Sequence, residues 1–149
     1  GRVSPEMKAI YERRIEKSPG VQNFSLIWAG LLSKESIPEF DRSAHLLFSS
    51  DLNAACPNST IEALACGLPV VAFNTGSLPE LVTGDSGRIV PYGGNPWRLD
   101  PPDIPALVKA SREILDDQAR FRVAARQRAE EKFGLDRMVE YYLDFFNLD

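Results

Sequence analysis

The segment with the clearest chemical potential joins a polar turn to an apolar run. The turn is Asn58-Ser59-Thr60, and a helix is predicted from about residue 59 to Gly67, since glycine commonly follows a helix end. The first turn of a helix exposes unpaired backbone N–H groups and about half a positive charge, which makes it a natural anion site. Glu62, about one turn into the helix, can accept hydrogen bonds from a ribose diol.

A purely structural interpretation of the same residues stays open. Ser59 and Glu62 stand three positions apart, the spacing of a capping box, in which two side chains satisfy the amides at a helix start. Such boxes are common, so these residues alone favour capping. Ser77 and Glu80 repeat the pattern, and capping is the favoured interpretation there as well.

Strands and helices alternate along the chain, which predicts an α/β fold. The strand-like runs are almost continuously apolar, as in parallel strands buried on both faces. We therefore expect a Rossmann-like parallel sheet with helices on both faces, in a single domain over 1–149. Polar loops that follow such strands lie at the carboxyl edge of the sheet, where ligands bind. Strands are predicted at 24–28, 46–49, 69–73 and 87–91, and helices at 5–17, 36–44, 59–67, briefly from 77, and in a C-terminal group at about 103–147.

Composition excludes several classes of protein. The chain has 149 residues, a formal net charge of −4 and scattered basic residues, so a nucleic-acid surface is not expected. No apolar run approaches the ~20 residues of a membrane-spanning helix, and two cysteines do not form a disulfide framework. No metal cluster or resident cofactor is expected, and His45 is interpreted as structural. A cytosolic location follows as the default.

A longer pattern carries a family resemblance. The segment 57–73 has a glutamate, then a helix ending in Cys-Gly-x-Pro-Val-Val, and 74–82 continues with a Gly-containing turn into Pro-Glu. This combination resembles glycosyltransferase family 4, whose members are retaining enzymes of the GT-B fold. The chain is similar to the C-terminal half of such enzymes, which binds the nucleotide-sugar donor.

The resemblance implies donor contacts position by position. A UDP- or GDP-sugar is the expected donor, and no residue is assigned as catalytic, with Glu62 the nearest candidate. The resemblance implies that Glu62 contacts the ribose hydroxyls and that the backbone amides of Asn58, Ser59 and Thr60 contact the phosphates. Cys56 and Pro57 are expected to face the transferred sugar, and the backbone around Leu31 and Leu32 is expected to contact the base. A further donor contact is expected at Asn74 and Thr75.

The chain departs from the family pattern in two places. The family carries a first glutamate eight positions before Glu62, where this chain has Ala54. The strand, loop and helix that open the family's donor domain are absent, as is its N-terminal acceptor domain. We therefore expect an enzyme fragment that is inactive alone. Peripheral attachment to a membrane through the missing domain is an open alternative to a purely cytosolic location. A non-catalytic nucleotide-binding module and a docking module are the alternatives.

Aromatic residues concentrate in the last helices. Core packing is the favoured interpretation of these side chains. The alternative is that some lie exposed because they face a missing partner domain, which would favour self-association of the fragment. The residues are Phe121, Phe133, Tyr141, Tyr142, Phe145 and Phe146.

Overall fold

The computed structural model describes residues 3–18 and 24–146, and it divides into two compact units, 1–37 and 38–149. Ten helices and strands are described. They are α1 Pro5–Glu16, α2 Ile37–Ser43, β1 Leu47–Ser49, α3 Asn58–Ala65, β2 Val70–Phe73, α4 Leu78–Leu81, β3 Gly87–Val90, α5 Ile104–Asp116, α6 Gln118–Lys132 and α7 Leu135–Phe146, with 3-10 turns at Gly84–Ser86 and Pro96–Arg98.

The first unit contains α1 and an extended segment. Ser4 caps α1 by accepting a hydrogen bond from the amide of Met7, as its place before Pro5 predicts. The predicted strand at 24–28 is wrong. The segment has no strand partner among the described residues, and the indole of Trp28 instead donates a hydrogen bond to Glu12 of α1 at 3.2 Å. An apolar run without a neighbouring ladder leaves its backbone unpaired and does not form a strand.

The second unit is built on a parallel sheet with strand order β1-β2-β3. The register pairs Ser49 with Ala72 and Phe73 with Val90, so all three strands end at the same edge. The predicted strands at 46–49, 69–73 and 87–91 are confirmed to within one residue at each end.

Helices cover both faces of this sheet, which confirms the predicted fold class. Alternate residues of β2 point to opposite faces. Val70 and Ala72 pack in a cluster with residues of α3 and α6, whereas Val71 and Phe73 pack in a second cluster with residues of α5. Near-continuous apolar strands therefore correspond to burial on both sides, as expected for a parallel sheet.

The three C-terminal helices form as predicted, with residue 147 lying outside the described residues. Phe121 of α6 is fully buried and Phe133 is half-buried, so core packing is confirmed for Phe121. It is wrong for α7, where Tyr141, Tyr142, Phe145 and Phe146 are all exposed. The helical periodicity of α7 creates an apolar face, but no described residue covers it enough to bury a single side chain.

Candidate functional site

Two loops meet where β1 and β2 end. The loop after β1 reaches the turn after β2 through two hydrogen bonds. The Thr75 hydroxyl donates to the Asp51 carbonyl at 3.4 Å, and the Ser77 amide donates to the Ala54 carbonyl at 3.0 Å. The tertiary structure thus brings the predicted site segments 56–60 and 74–75 to one edge of the sheet, which is the edge at which ligands bind in parallel α/β folds.

Gly76 makes this approach possible. Its φ of +55° lies in the left-handed region, and a Cβ at this position would stand 2.4 Å from the Ala54 carbonyl oxygen. Only glycine fits that contact without movement of the backbone. The backbone of Ala54 therefore lies against Gly76 and links the two loops through the hydrogen bond from the Ser77 amide.

The N-terminal end of α3 is open. Pro57 occupies the N-cap position and has no side-chain acceptor, and α3 has no acidic residue in its first turn. The amides of Asn58 and Ser59 have no acceptor among the described residues, and both residues are exposed. The amide of Thr60 is engaged, because it donates to the Pro57 carbonyl at 3.0 Å. Two free amides and the positive end of the helix dipole therefore face outward.

The capping interpretation is wrong at both sites. Helix α3 begins at Asn58, so Ser59 lies inside its first turn and cannot act as the N-cap partner of Glu62. Ser77 occupies the N-cap position of α4 but makes no side-chain capping hydrogen bond, and Glu80 is exposed. The earlier start of α3 rules out the box there, and at α4 the box is absent because Ser77 makes no side-chain capping hydrogen bond.

Glu62 presents a free carboxylate on α3. Its side chain is exposed and has no hydrogen-bond or ion-pair partner within the described part of the chain. Burial raises the pKa of the Asp41 carboxyl on α2, and the charge of Glu62 raises it further. An ionised carboxylate has about four acceptor sites, so the exposed carboxylate of Glu62 can accept hydrogen bonds from hydroxyl groups.

Two buried hydroxyls near the same edge lack partners. Thr60 Oγ1 and Ser77 Oγ are the buried side-chain atoms without a hydrogen bond in the described structure, and they belong to the first turns of α3 and α4. Buried hydroxyls are normally satisfied, so these two are exceptions within the described structure. The sequence contained no signal for them, because unsatisfied burial depends on contacts between distant segments.

The remaining predicted contacts differ in accessibility. Cys56 is an exposed free thiol beside buried Pro57. Asn74 is exposed and its amide donates to the Val90 carbonyl at 2.7 Å, whereas Thr75 is buried and its hydroxyl is engaged by Asp51. Leu32 belongs to the first unit and is 38% exposed, and its contact with a base stays a prediction.

Two arginines of α6 donate to backbone carbonyls at the ends of α3 and α2, and sequence reasoning missed them. The guanidinium of Arg126 donates to the Ala65 carbonyl, and Arg122 donates to the Ala44 carbonyl at 2.9 Å, just after α2. Their spacing of four residues predicts one shared helix face. This spacing does not predict which backbone carbonyls accept hydrogen bonds from the two arginines.

None of the described helices has the length and apolar character required to cross a membrane. Within residues 3–18 and 24–146, no group of three or more His, Cys, Asp or Glu side chains is arranged to hold a metal ion.

The parallel sheet with helices on both faces defines an α/β protein whose loops meet at the carboxyl edge of the strands. The family model for glycosyl transferases group 1 matches residues 20–132, and the chain belongs to this family. It is similar to the lipopolysaccharide core biosynthesis mannosyltransferase LpsB of Rhizobium meliloti (strain 1021), with 29% identity over 108 residues that cover 68% of this chain and 28% of that protein.

A solved structure shows the same fold. Sucrose-phosphate synthase from Thermosynechococcus elongatus superposes with a TM-score of 0.72 and 23% identity, over 100% of this chain and 38% of that protein. The synthase is a glycosyltransferase of the GT-B type, so the fold predicted from sequence is confirmed. The chain spans well under half the length of either relative.

Proposed function

We propose that this chain binds the nucleotide-sugar donor of a retaining glycosyltransferase of family 4, with the donor diphosphate at the start of α3. The observation that carries the proposal is the pair of unpaired, exposed amides at Asn58 and Ser59, which follow an N-cap residue without a side-chain acceptor. An anion placed there receives two N–H donors and the positive end of the helix dipole.

The same groups serve the chemistry of transfer. The bond from the anomeric carbon of the sugar to the diphosphate oxygen breaks, a bond to the acceptor hydroxyl oxygen forms, and the acceptor proton passes to the departing diphosphate. The departing diphosphate gains negative charge during this step. Fixed N–H dipoles at the α3 terminus stabilise that charge without rearrangement, which is the largest contribution to catalysis in many enzymes.

Glu62 is proposed to hold the ribose of the donor. Its carboxylate is exposed, free of protein partners and one turn along the helix from the open amides. Two ribose hydroxyls can donate to one ionised carboxylate, which has two oxygens and about four acceptor sites. Cys56 and the Asn74 side chain, both exposed, are proposed to contact the rest of the donor.

Transfer is proposed to need a further domain. The chain spans 28% and 38% of its two relatives, and the proposed acceptor-binding domain accounts for part of the difference. In this proposal the chain alone binds a UDP- or GDP-sugar weakly and does not transfer the sugar, and it requires neither a metal nor a resident cofactor. A cytosolic location and self-association of the isolated chain belong to the same proposal.

A titration tests the site directly. The chain is titrated with UDP, GDP and ADP while the backbone amide shifts are recorded. Saturable shifts at Asn58 and Ser59 are expected, with smaller shifts at the exposed amides of α5 on the far side of the sheet. Binding that leaves Asn58 and Ser59 unmoved while other amides respond would contradict the proposed placement of the diphosphate.

Ala54 favours a second candidate, a nucleotide-binding module without catalysis. Its side chain cannot supply the carboxylate that the family uses on the transferred sugar, and its backbone is committed to Gly76 and Ser77. Addition of an acceptor-binding domain from a relative separates the two candidates, because only an enzyme fragment should gain transferase activity.

A further inference from the structure

The connection from β3 to α5 is longer than the fold requires. It runs from 91 to 103, whereas such connections usually have about two to six residues. The loop is also ordered internally. The Tyr92 hydroxyl donates to the Asp100 carbonyl at 2.7 Å, the Asn95 amide donates to the Asp100 carboxylate at 2.9 Å, and the Asn95 side chain caps the Trp97 amide at 2.9 Å. A long loop with its own hydrogen bonds presents a defined surface.

This loop holds large apolar side chains in solvent. Trp97 is 79% exposed in the 3-10 turn Pro96–Arg98, and Leu99 is 73% exposed in the left-handed conformation, with φ of +55°. Non-glycine residues rarely adopt that conformation, and its presence in an ordered loop is typical of functional sites. The hydrogen bonds from the amides of Asn95 and Trp97 therefore fix the backbone that carries the exposed indole.

The loop lies at the same edge of the sheet as the candidate donor site. It leaves the carboxyl end of β3, and the carbonyl of Val90 at that point accepts the hydrogen bond from the Asn74 amide. Parallel strands place the loops after β1, β2 and β3 at one edge.

The chemistry of the exposed surface suits a sugar ring. The face of an indole carries negative charge density, which attracts the weakly positive C–H groups on one face of a pyranose. Arg98, 72% exposed at its side chain, and Asp100 form an ion pair at 2.9 Å in the same turn and offer donors and acceptors to ring hydroxyls.

We infer that Trp97 is the stacking platform for a pyranose ring of the acceptor glycan. The assignment of the glycan as acceptor rests on the proposed function, whereas the stacking itself depends only on the loop. The ligand class is a neutral glycoside without a nucleotide.

The test uses the 149-residue chain and a panel of methyl α- and β-glycosides of glucose, galactose, mannose and N-acetylglucosamine. The readouts are the indole N–H signal of Trp97 and the amide shifts of Asn95, Arg98 and Asp100. We expect saturable shifts with at least one glycoside, loss of those shifts in Trp97→Ala, and affinity about 2- to 10-fold weaker in Trp97→Phe. Trp28→Phe is the matched control, because Trp28 is the other tryptophan of the chain, and it should bind as the parent does.

The outcomes separate this inference from the proposed function. Absence of saturable shifts at Trp97 with every glycoside overturns the inference. A Trp97 signal that responds only to UDP, GDP or ADP, or that changes with protein concentration alone, overturns it as well. Glycoside binding at Trp97 with silent Asn58 and Ser59 amides in the nucleotide titration supports the platform and contradicts the donor site. Unchanged nucleotide binding in Trp97→Ala is expected in all cases.

Discussion

The backbone groups at the two ends of α3 differ in their hydrogen bonding. At the C-terminal end, the amide of Gly67 donates to the Leu64 carbonyl at 2.9 Å and the amide of Leu68 donates to the Ala63 carbonyl at 2.8 Å, which is the Schellman pattern. Arg126 satisfies the Ala65 carbonyl as well. At the N-terminal end, the amides of Asn58 and Ser59 have no partner among the described residues.

The difference supports the proposed placement of an anion at the start of α3. A helix end left without partners costs stability unless water or a ligand supplies them. The groove beside the C-terminal end is lined by Arg42, Arg122 and Arg126, yet two of these guanidiniums are engaged by backbone carbonyls. The open amides at the other end are the groups of α3 still available to an anion.

The largest expected effect lies at the contact between the turn after β2 and the loop that leads into the N-terminal end of α3. Gly76→Ala should destabilise the fold by about 2–5 kcal/mol, because the new methyl group meets the Ala54 backbone and the residue must keep a left-handed φ. Urea unfolding measures the loss. Gly84→Ala is the matched control, since Gly84 has a similar φ of +56° with open space around it. Equal losses in the two variants would show that the loops do not need their close contact.

Glu62→Ala should weaken nucleoside diphosphate binding by about 1–3 kcal/mol, or roughly 5- to 150-fold in Kd, if ribose hydrogen bonds are lost. Stability should change little, because Glu62 has no partner in the described structure. Calorimetric titration and a melting curve give the two numbers. Glu131→Ala, at an exposed position of α6, is the control. Unchanged affinity with a lowered melting temperature would restore the capping interpretation.

Gly67→Ala probes the closed end. Its φ of +68° should cost about 1–2 kcal/mol of stability, and the nearest atom to the new methyl group is the Arg122 carbonyl oxygen at 3.3 Å. Nucleotide affinity should stay within about twofold of the parent. A larger loss of affinity than of stability would mean that the C-terminal end controls the site, and the contrast between the two ends would fail.

Thr60→Val should leave stability unchanged or raise it by up to about 1 kcal/mol, because the buried Thr60 hydroxyl has no protein partner. Thr75→Val is the control and should be destabilising, since the Thr75 hydroxyl donates to the Asp51 carbonyl. Thermal unfolding without ligand measures both. A clear loss of stability in Thr60→Val would indicate a structural water on that hydroxyl.

The smallest effect is a dependence on pH. Burial and the charge of Glu62 raise the pKa of Asp41 in the folded chain, so folding favours the protonated form. Stability should therefore fall as the pH rises from the ordinary aspartate range through this raised pKa, and then level off. Asp41→Asn should remove that fall, which urea unfolding at several pH values measures. A difference between the two proteins that does not change with pH would exclude this linkage.

Local sequence determined much of this protein. Apolar runs at 46–49, 69–73 and 87–91 predicted the three strands, and Gly67 predicted the end of α3, because each depends on neighbouring residues. The family resemblance at 57–73 predicted a glycosyltransferase, and the match to glycosyl transferases group 1 over 20–132 confirms that statement, whereas the assignment to family 4 stays a prediction.

Tertiary structure decided what each element meets. The apolar segment at 24–28 has no strand partner among the described residues, and the apolar face of α7 stays exposed. The backbone of Ala54 lies in close contact with Gly76, which the sequence did not predict. Periodicity reports which face of a segment is apolar, but burial and pairing depend on surfaces supplied by distant parts of the chain. For the same reason the open amides of α3 became visible only once its first residue and the neighbouring loops were placed.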